Sequence, residues 1–254
     1  MKWIATFALL LGQARAADLK PATVEAFDRY IRQAEQRLDA RKSFLWADES
    51  PERARRLRQG EIVVEPFSGK PDIHVPGGLL HHWVGAVFIP GAALEKTLAM
   101  VQDYDHHKDV YKPEVIYSRL LDHQGNDYKL YLRLLKKKVL TAVVNTEHEA
   151  RYIQVDQTRW RSNSRTTKVA EVDKAGKPGE RELPPGTGHG FVWAMNSYWR
   201  FEGRDGGTWV ECESISLTRD VPLGLGWLIE PIVRDIPKES FANTLRATRA
   251  ALVK

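Results

Sequence analysis

The hydrophobic pattern of the chain changes period as it proceeds. Between Pro21 and Gly60 the spacing is helical. VEAFDRYIRQAEQRL brings Val24, Phe27, Ile31 and Leu38 near one face, with charges between them. Ser50-Pro51-Glu52 then restarts a helix, with serine as N-cap and proline at the first helical position, and Gly60 ends it. The apolar stripe is narrow, so residues 17–60 are expected to be a helical appendage that docks on a main domain. Residues 61–78 read as a connector in which EIVVEPF has the character of a short strand. LLHHWVGAVFI (79–89) reads as a strand, and Pro90-Gly91 breaks it. AALEKTLAMVQDY returns to helical period, DHHKDVY adds a short second turn, and Pro113 stops it.

After Pro113 the pattern is that of strands. EVIYSRLLD, YKLYLRLLKKK, VLTAVVNTEHEARYIQV and TRWRSNSRTTKVAEV are separated by turn residues. KAGKPGERELPPGTG (174–188) is a Gly/Pro-rich loop and the best internal candidate for mobility. FVWAMNSYWRF and TWVECESISL form a hairpin around EGRDGG, with Asp205-Gly206 as a type I′ turn or bulge. An apolar stretch, VPLGLGWLIEP, precedes a final helix, PKESFANTLRATRAALVK. Strands joined by short turns are antiparallel, and an antiparallel sheet needs one face covered. The C-terminal helix is the long element available to cover it. The expected fold class is therefore α+β: a seven-stranded curved antiparallel sheet around a long C-terminal helix, spanning 79–254, with the helical appendage in front.

That order, and the text SYWRFEGRDGGTWVECESISLTRDVPLGLGWLIEPIVRDIPKESF, resembles the helix-grip fold of the START-like (SRPBCC) superfamily, in particular its exported bacterial members. The resemblance covers residues 79–253 and leaves the N-terminal helices and the 174–188 loop as additions. It implies a cavity between sheet and helix for a hydrophobic or lipid-like small molecule, with VPLGLGWLIEP as an apolar gate hinged at Gly224 and Gly226. A second reading is an enzyme of the polyketide cyclase or aromatase type, with Arg133, Glu213 and Tyr198 as acid–base groups. A third is a peripheral protein whose appendage docks on a partner or an anionic membrane.

Composition trims these possibilities. Lys2, the apolar run Trp3–Gly12 and Ala14-Arg15-Ala16 have the layout of a signal peptide over residues 1–16, cleaved before Ala17, which implies a secreted or periplasmic protein. Without Lys2 and Arg15 the formal charge falls from +5 to +3, with both signs interspersed, so nucleic acid is not an expected partner. Arg53, Arg55, Arg56 and Arg58 read as a solvated helix face, and Lys136 to Lys138 as strand-end gatekeepers. The single cysteine, Cys212, excludes intrachain disulfides and falls in a strand, where burial is expected.

No nucleotide-binding loop, hydrolase elbow or metal spacing occurs, so no cofactor or metal is expected. His81 and His82 are adjacent on a strand and must point to opposite faces. The polar strand positions are more informative. Tyr131 shares a face with Arg133; Asn196 with Tyr198 and Arg200; Trp209 with Glu211 and Glu213. Trp160, Ser162 and Ser164 lie together, opposite Arg159, Arg161 and Asn163. With the Glu213 face inward, these charges and Trp227 would line the ligand cup; with it outward, they would be ordinary solvent-facing charges. The alternation does not choose between the two.

Overall fold

The structure, a computed structural model, describes residues 18–137, 141–220 and 226–253, with the side chains of 137 and 226–236 outside the description. The expected signal peptide, Lys138 and residues 221–225 of the expected gate therefore lie outside the described residues, as does the side chain of Trp227.

The N-terminal segment forms α1 (Pro21–Ala40), a 3-10 turn (Trp46–Glu49) and α2 (Pro51–Arg58). As expected, the Ser50 side chain accepts from the Arg53 amide at the start of α2. The buried stripe of α1 includes Thr23, Phe27, Ile31, Ala34 and Leu38. Val24, expected on that face, is exposed, because the stripe runs through Thr23 instead.

Five pieces follow: β1 (Val63–Pro66), β2 (Ile73–Val75), β3 (Gly78–Pro90), α3 (Leu94–Gln102) and, after a 3-10 turn, α4 (His107–Val110). Then come β4 (Val115–Gln124), β5 (Asp127–Lys137), β6 (Thr141–Gln154), β7 (Arg159–Asp173), β8 (Arg181–Glu182), β9 (Ala194–Arg204), β10 (Gly207–Arg219) and α5 (Gly226–Leu252). The sheet order is β1-β3-β10-β9-β7-β6-β5-β4, with β2 also on β3 and β8 on β7, and every pairing is antiparallel. The seven expected strands are all present. Among the described residues the count rises to ten because β1 and β2, in the supposed connector, pair with β3, and β8 pairs with β7.

Two further expectations change. The loop 174–188 is tied down: β8 pairs with β7, Glu180 meets Arg133 at 2.8 Å, and the Gly186 carbonyl accepts from the Leu19 amide at 2.8 Å. The last helix starts at Gly226, within the apolar stretch, so Gly226 to Pro231 belong to α5 rather than to a separate gate. Pro231 and Pro237 hid this in the sequence, since proline ordinarily ends a helix pattern. The Asp205-Gly206 turn has φ of 56° and 71°, both positive as a type I′ turn requires.

Both faces of the sheet are covered. On the concave face Trp83, Val87, Phe201, Val210 and Cys212 pack with Phe241 and Leu245 of α5 and with Leu98 of α3. On the convex face α1 packs on Leu80, Tyr198, Ile215 and Leu217, while Trp46 and Leu57 pack on Val84, Phe88 and Trp209. Gly85 marks the closest approach of α5. A Cβ there would lie 2.8 Å from Phe241 and 2.9 Å from Leu245 and the Val63 carbonyl. Gly85→Ala should cost about 1–3 kcal/mol by overpacking, read as a lower urea midpoint at unchanged m-value. An unchanged midpoint would mean that α5 sits further off than described.

Candidate functional site

Register assigns every strand side chain to a face. Cys212 is opposite Gly85 on β3 and Trp199 on β9, and Ser162 is opposite Trp199, so these positions look toward α5. By the period of two, Trp209, Glu211 and Glu213 look the other way. So do Asn196, Tyr198 and Arg200 across the β9–β10 pair, and Tyr131 and Arg133 on β5. The ligand-lining expectation is thereby corrected in its geometry: these eight residues sit on the convex face, away from α5. Trp227 begins α5, but its side chain lies outside the described residues.

The convex face is not solvent either, which neither orientation anticipated. Glu211 and Glu213 are 2% and 1% exposed. The N-terminal helices bring the cations that make this tolerable, since an unpaired buried charge is strongly unfavourable. Arg41, just past the end of α1, reaches Glu211 at 2.7 Å and also holds the Ser43 and Phe44 carbonyls. The Trp46 amide donates to the second Glu211 oxygen. Burial raises the Glu211 pKa, and Arg41 works against that rise.

Glu213 accepts from Arg37 and from His82 Nε2, the latter at 2.7 Å. His82 Nδ1 meets the Tyr30 hydroxyl at 2.7 Å, so both ring nitrogens have a partner. Phe67 stacks on His82 at 4.4 Å and carries the Arg37 guanidinium at 3.9 Å. Arg200 donates to the Leu38 and Phe44 carbonyls at 3.0 and 2.8 Å, which satisfies the carboxyl end of α1. Burial, then the neighbouring Arg41, pushes the Arg200 pKa down to about 10. Tyr198 donates to Glu35 at 3.0 Å, and Asn196 reaches the Tyr198 hydroxyl at 3.4 Å. Most of the predicted residues thus form a polar seam that clamps the appendage to the sheet.

The trio Arg133, Tyr198 and Glu213 does not converge. Strands β9, β7 and β6 separate Arg133 from Glu213, and Arg133 pairs with Glu180. The α2 arginines are likewise engaged within the chain: Arg53 with the Trp46 carbonyl, Arg55 with Glu52, Arg56 with Glu61 and Arg58 with Asp205. Beside α1, a groove of about 510 Å³ runs along the convex face. Its walls include Glu35, Tyr198 and the ion pairs Arg151–Asp127 and Arg165–Glu149.

The concave wall is made of residues outside the expected ligand-lining set. Trp160, Leu132, Met195 and Trp199 are partly accessible there, with serines between them. Toward the α3–α4 end it becomes aromatic and polar. Tyr104 meets Tyr152 at 3.1 Å, and the Tyr111 hydroxyl meets Thr248 of α5 at 3.3 Å. His107 donates from Nε2 to the Val101 carbonyl at 3.1 Å, and His148 Nε2 lies 2.9 Å from the Thr146 hydroxyl. His81 and His82 do diverge, with His81 meeting Thr218 at 3.0 Å. Cys212 is buried, as its place in a strand implied. Among the described residues no cluster of metal-ligating side chains occurs, and no helix is long and apolar enough to cross a membrane.

One signal for this arrangement was present in the sequence. LLHHWVGAVFI is a near-continuous apolar run rather than an alternation, and such a strand is buried on both faces.

No protein-family model matches the sequence, and no curated protein sequence matches it. Solved structures do. The STAR-related lipid transfer protein of Xanthomonas axonopodis superposes with a TM-score of 0.50 at 15% identity, over 72% of this chain and 99% of that one. The Zhui aromatase/cyclase of Streptomyces sp. R1128 matches at TM-score 0.42 and 11% identity, over 68% and 93%. Human STARD10 matches at 0.43 and 9%, over 78% and 79%. The chain has the START-like helix-grip fold, with an antiparallel sheet gripping a long C-terminal helix.

Proposed function

We propose that this protein is an exported carrier that holds a hydrophobic or lipid-like small molecule between the concave sheet face and α5. The observation that carries the proposal is the wall itself. Trp160, Trp199, Leu132 and Met195 remain partly accessible on the face toward α5, beside the buried Phe201, Val210, Cys212 and Tyr152. Small-ligand sites are mostly apolar with few polar anchors, and this wall has that character. The similar Xanthomonas protein is described as a lipid transfer protein. The export half rests on the leader-like residues 1–16.

The test is native mass spectrometry of the mature chain purified from the periplasm of its own host. The expected result is a bound species of lipid mass that leaves on collisional activation. Apoprotein alone, together with no uptake of a neutral fluorescent probe such as N-phenyl-1-naphthylamine, would overturn the carrier reading.

A further inference from the structure

The register of four adjacent strands assembles a polar line across the concave wall. Ser164 of β7 is opposite Ser197 of β9, Ser197 is opposite Ser214 of β10, and Ser214 is opposite Trp83 of β3. At about 4.8 Å between strands, the line spans roughly 14 Å. It lies one pair of rows from Gly85, where Phe241 and Leu245 press on the sheet.

Three features distinguish this line from ordinary strand serines. The three serines are partly accessible, and none of their hydroxyls has a side-chain hydrogen bond among the described residues. Trp83 is 5% exposed, and its indole Nε1–H is buried with no acceptor among the described residues, although Trp83 shares the concave face with Ser214. A buried donor without an acceptor is uncommon in a folded protein and calls for a partner, which a water or a ligand oxygen could supply; Trp193 and Trp209 have the same state elsewhere, but the Trp83 donor is the one beside the serine line. Finally, the surrounding wall is uncharged. Concave positions from Trp160 to Thr166, Met195 to Phe201, Val210 to Ser216 and His81 to Val87 include no carboxylate, lysine or arginine. His81 does not supply a charge there, because burial lowers its pKa.

We infer that the cup selects an uncharged amphiphile bearing several oxygen functions, whose head group lies along Ser164, Ser197, Ser214 and the Trp83 indole N–H. Hydroxyls donate to and accept from a polyol or ester head, and the indole requires an acceptor. An ionised carboxylate or phosphate would lose its hydration against these positions, which offer no cation; Lys136, further along β5, is already paired with Glu114. This inference rests on the carrier reading and deepens it by naming the ligand class.

The experiment displaces N-phenyl-1-naphthylamine from the mature protein at pH 8 with 1-monooleoylglycerol or with oleate, which share one acyl chain. Monooleoylglycerol is expected to bind at least about tenfold more tightly than oleate, given the desolvation cost of the carboxylate. Ser197→Ala and Ser214→Ala should each weaken monooleoylglycerol roughly three- to tenfold, the usual effect of one lost hydrogen bond, and leave oleate unchanged. Trp83→Phe, which keeps the ring and removes the donor, should do the same; if it does not fold, the serine variants decide. Absence of probe binding would refute the carrier reading itself. Probe binding with equal or better displacement by oleate, or serine variants without effect, would overturn the inference and leave the carrier standing.

Discussion

Arg41→Met should lower the unfolding free energy by about 3–5 kcal/mol, the usual consequence of leaving one member of a buried ion pair without its partner. Glu211 is 2% exposed and Arg41 is the cation that reaches it, at 2.7 Å. Methionine keeps the length of the arginine stem, so the loss reports on the stranded carboxylate rather than on a cavity. The double variant Arg41→Met/Glu211→Met should recover at least half of the loss, because matched apolar replacements of buried pairs are often neutral. Urea unfolding at pH 7, followed by circular dichroism, measures both. Limited proteolysis adds a spatial readout: the single variant should lose residues 18–60 first, since Arg41 stands at the junction of α1 and the sheet. A single variant as stable as the parent, or a double variant no better than the single, would show that the seam does not clamp the appendage.

This seam is also where reading the sequence reached its limit. The grouping of side chains was legible. Glu211 with Glu213, Tyr198 with Arg200, and Trp160 with the serines all follow from the period of two, and the register keeps each group on one face. The orientation of those groups was not legible, because alternation along a strand looks the same whether the polar face is wet or is covered by a distant segment. Here α1 and α2 supply a second cover, so charged residues on the convex side are buried without facing α5. The pairs that reveal this are far apart in sequence, Arg37 with Glu213 and Arg41 with Glu211, and no local spacing encodes them. β3 did carry the information locally. His82 and Val84 serve the seam and the convex core, while His81 and Trp83 face the concave side, and the strand is apolar on both sides accordingly. The start of α5 was obscured for a different reason: its two prolines argue against a helix that nonetheless runs through them.

Acid should weaken the native state well before its carboxylates are titrated, through two histidines beneath α5. His107 and His148 both have pKa values pushed down to about 4 by burial, and for His148 the nearby His107 adds to the effect. The Thr146 hydroxyl donates to the Leu132 carbonyl, so it accepts from His148 Nε2–H, and the ring is held neutral. In the unfolded chain each imidazole titrates near its ordinary value, about 6.5. Between those values the unfolded state binds the extra proton. The stabilisation is therefore complete above about pH 6.5 and is lost as pH falls toward the folded value. Each histidine contributes a slope approaching ~1.4 kcal/mol per pH unit, so the pair approaches about 2.7 kcal/mol per unit between pH 6 and 4.5. Glu211 acts with the opposite sign. Its raised pKa makes its contribution largest below the ordinary carboxylate value and smaller as pH rises, which offsets part of the acid loss. Glu114 adds to the acid loss at the lower end. Burial opposes ionisation there, but Lys136, Ser240 and Asn243 together hold its pKa down, and they tie β4 to α5. Urea midpoints taken at half-unit intervals from pH 7.5 to 4 should show the steep decline, and His148→Leu should remove about half of its slope. A stability that stays flat from pH 6.5 to 4.5 would mean that these rings are hydrated and that the core under α5 is open to water.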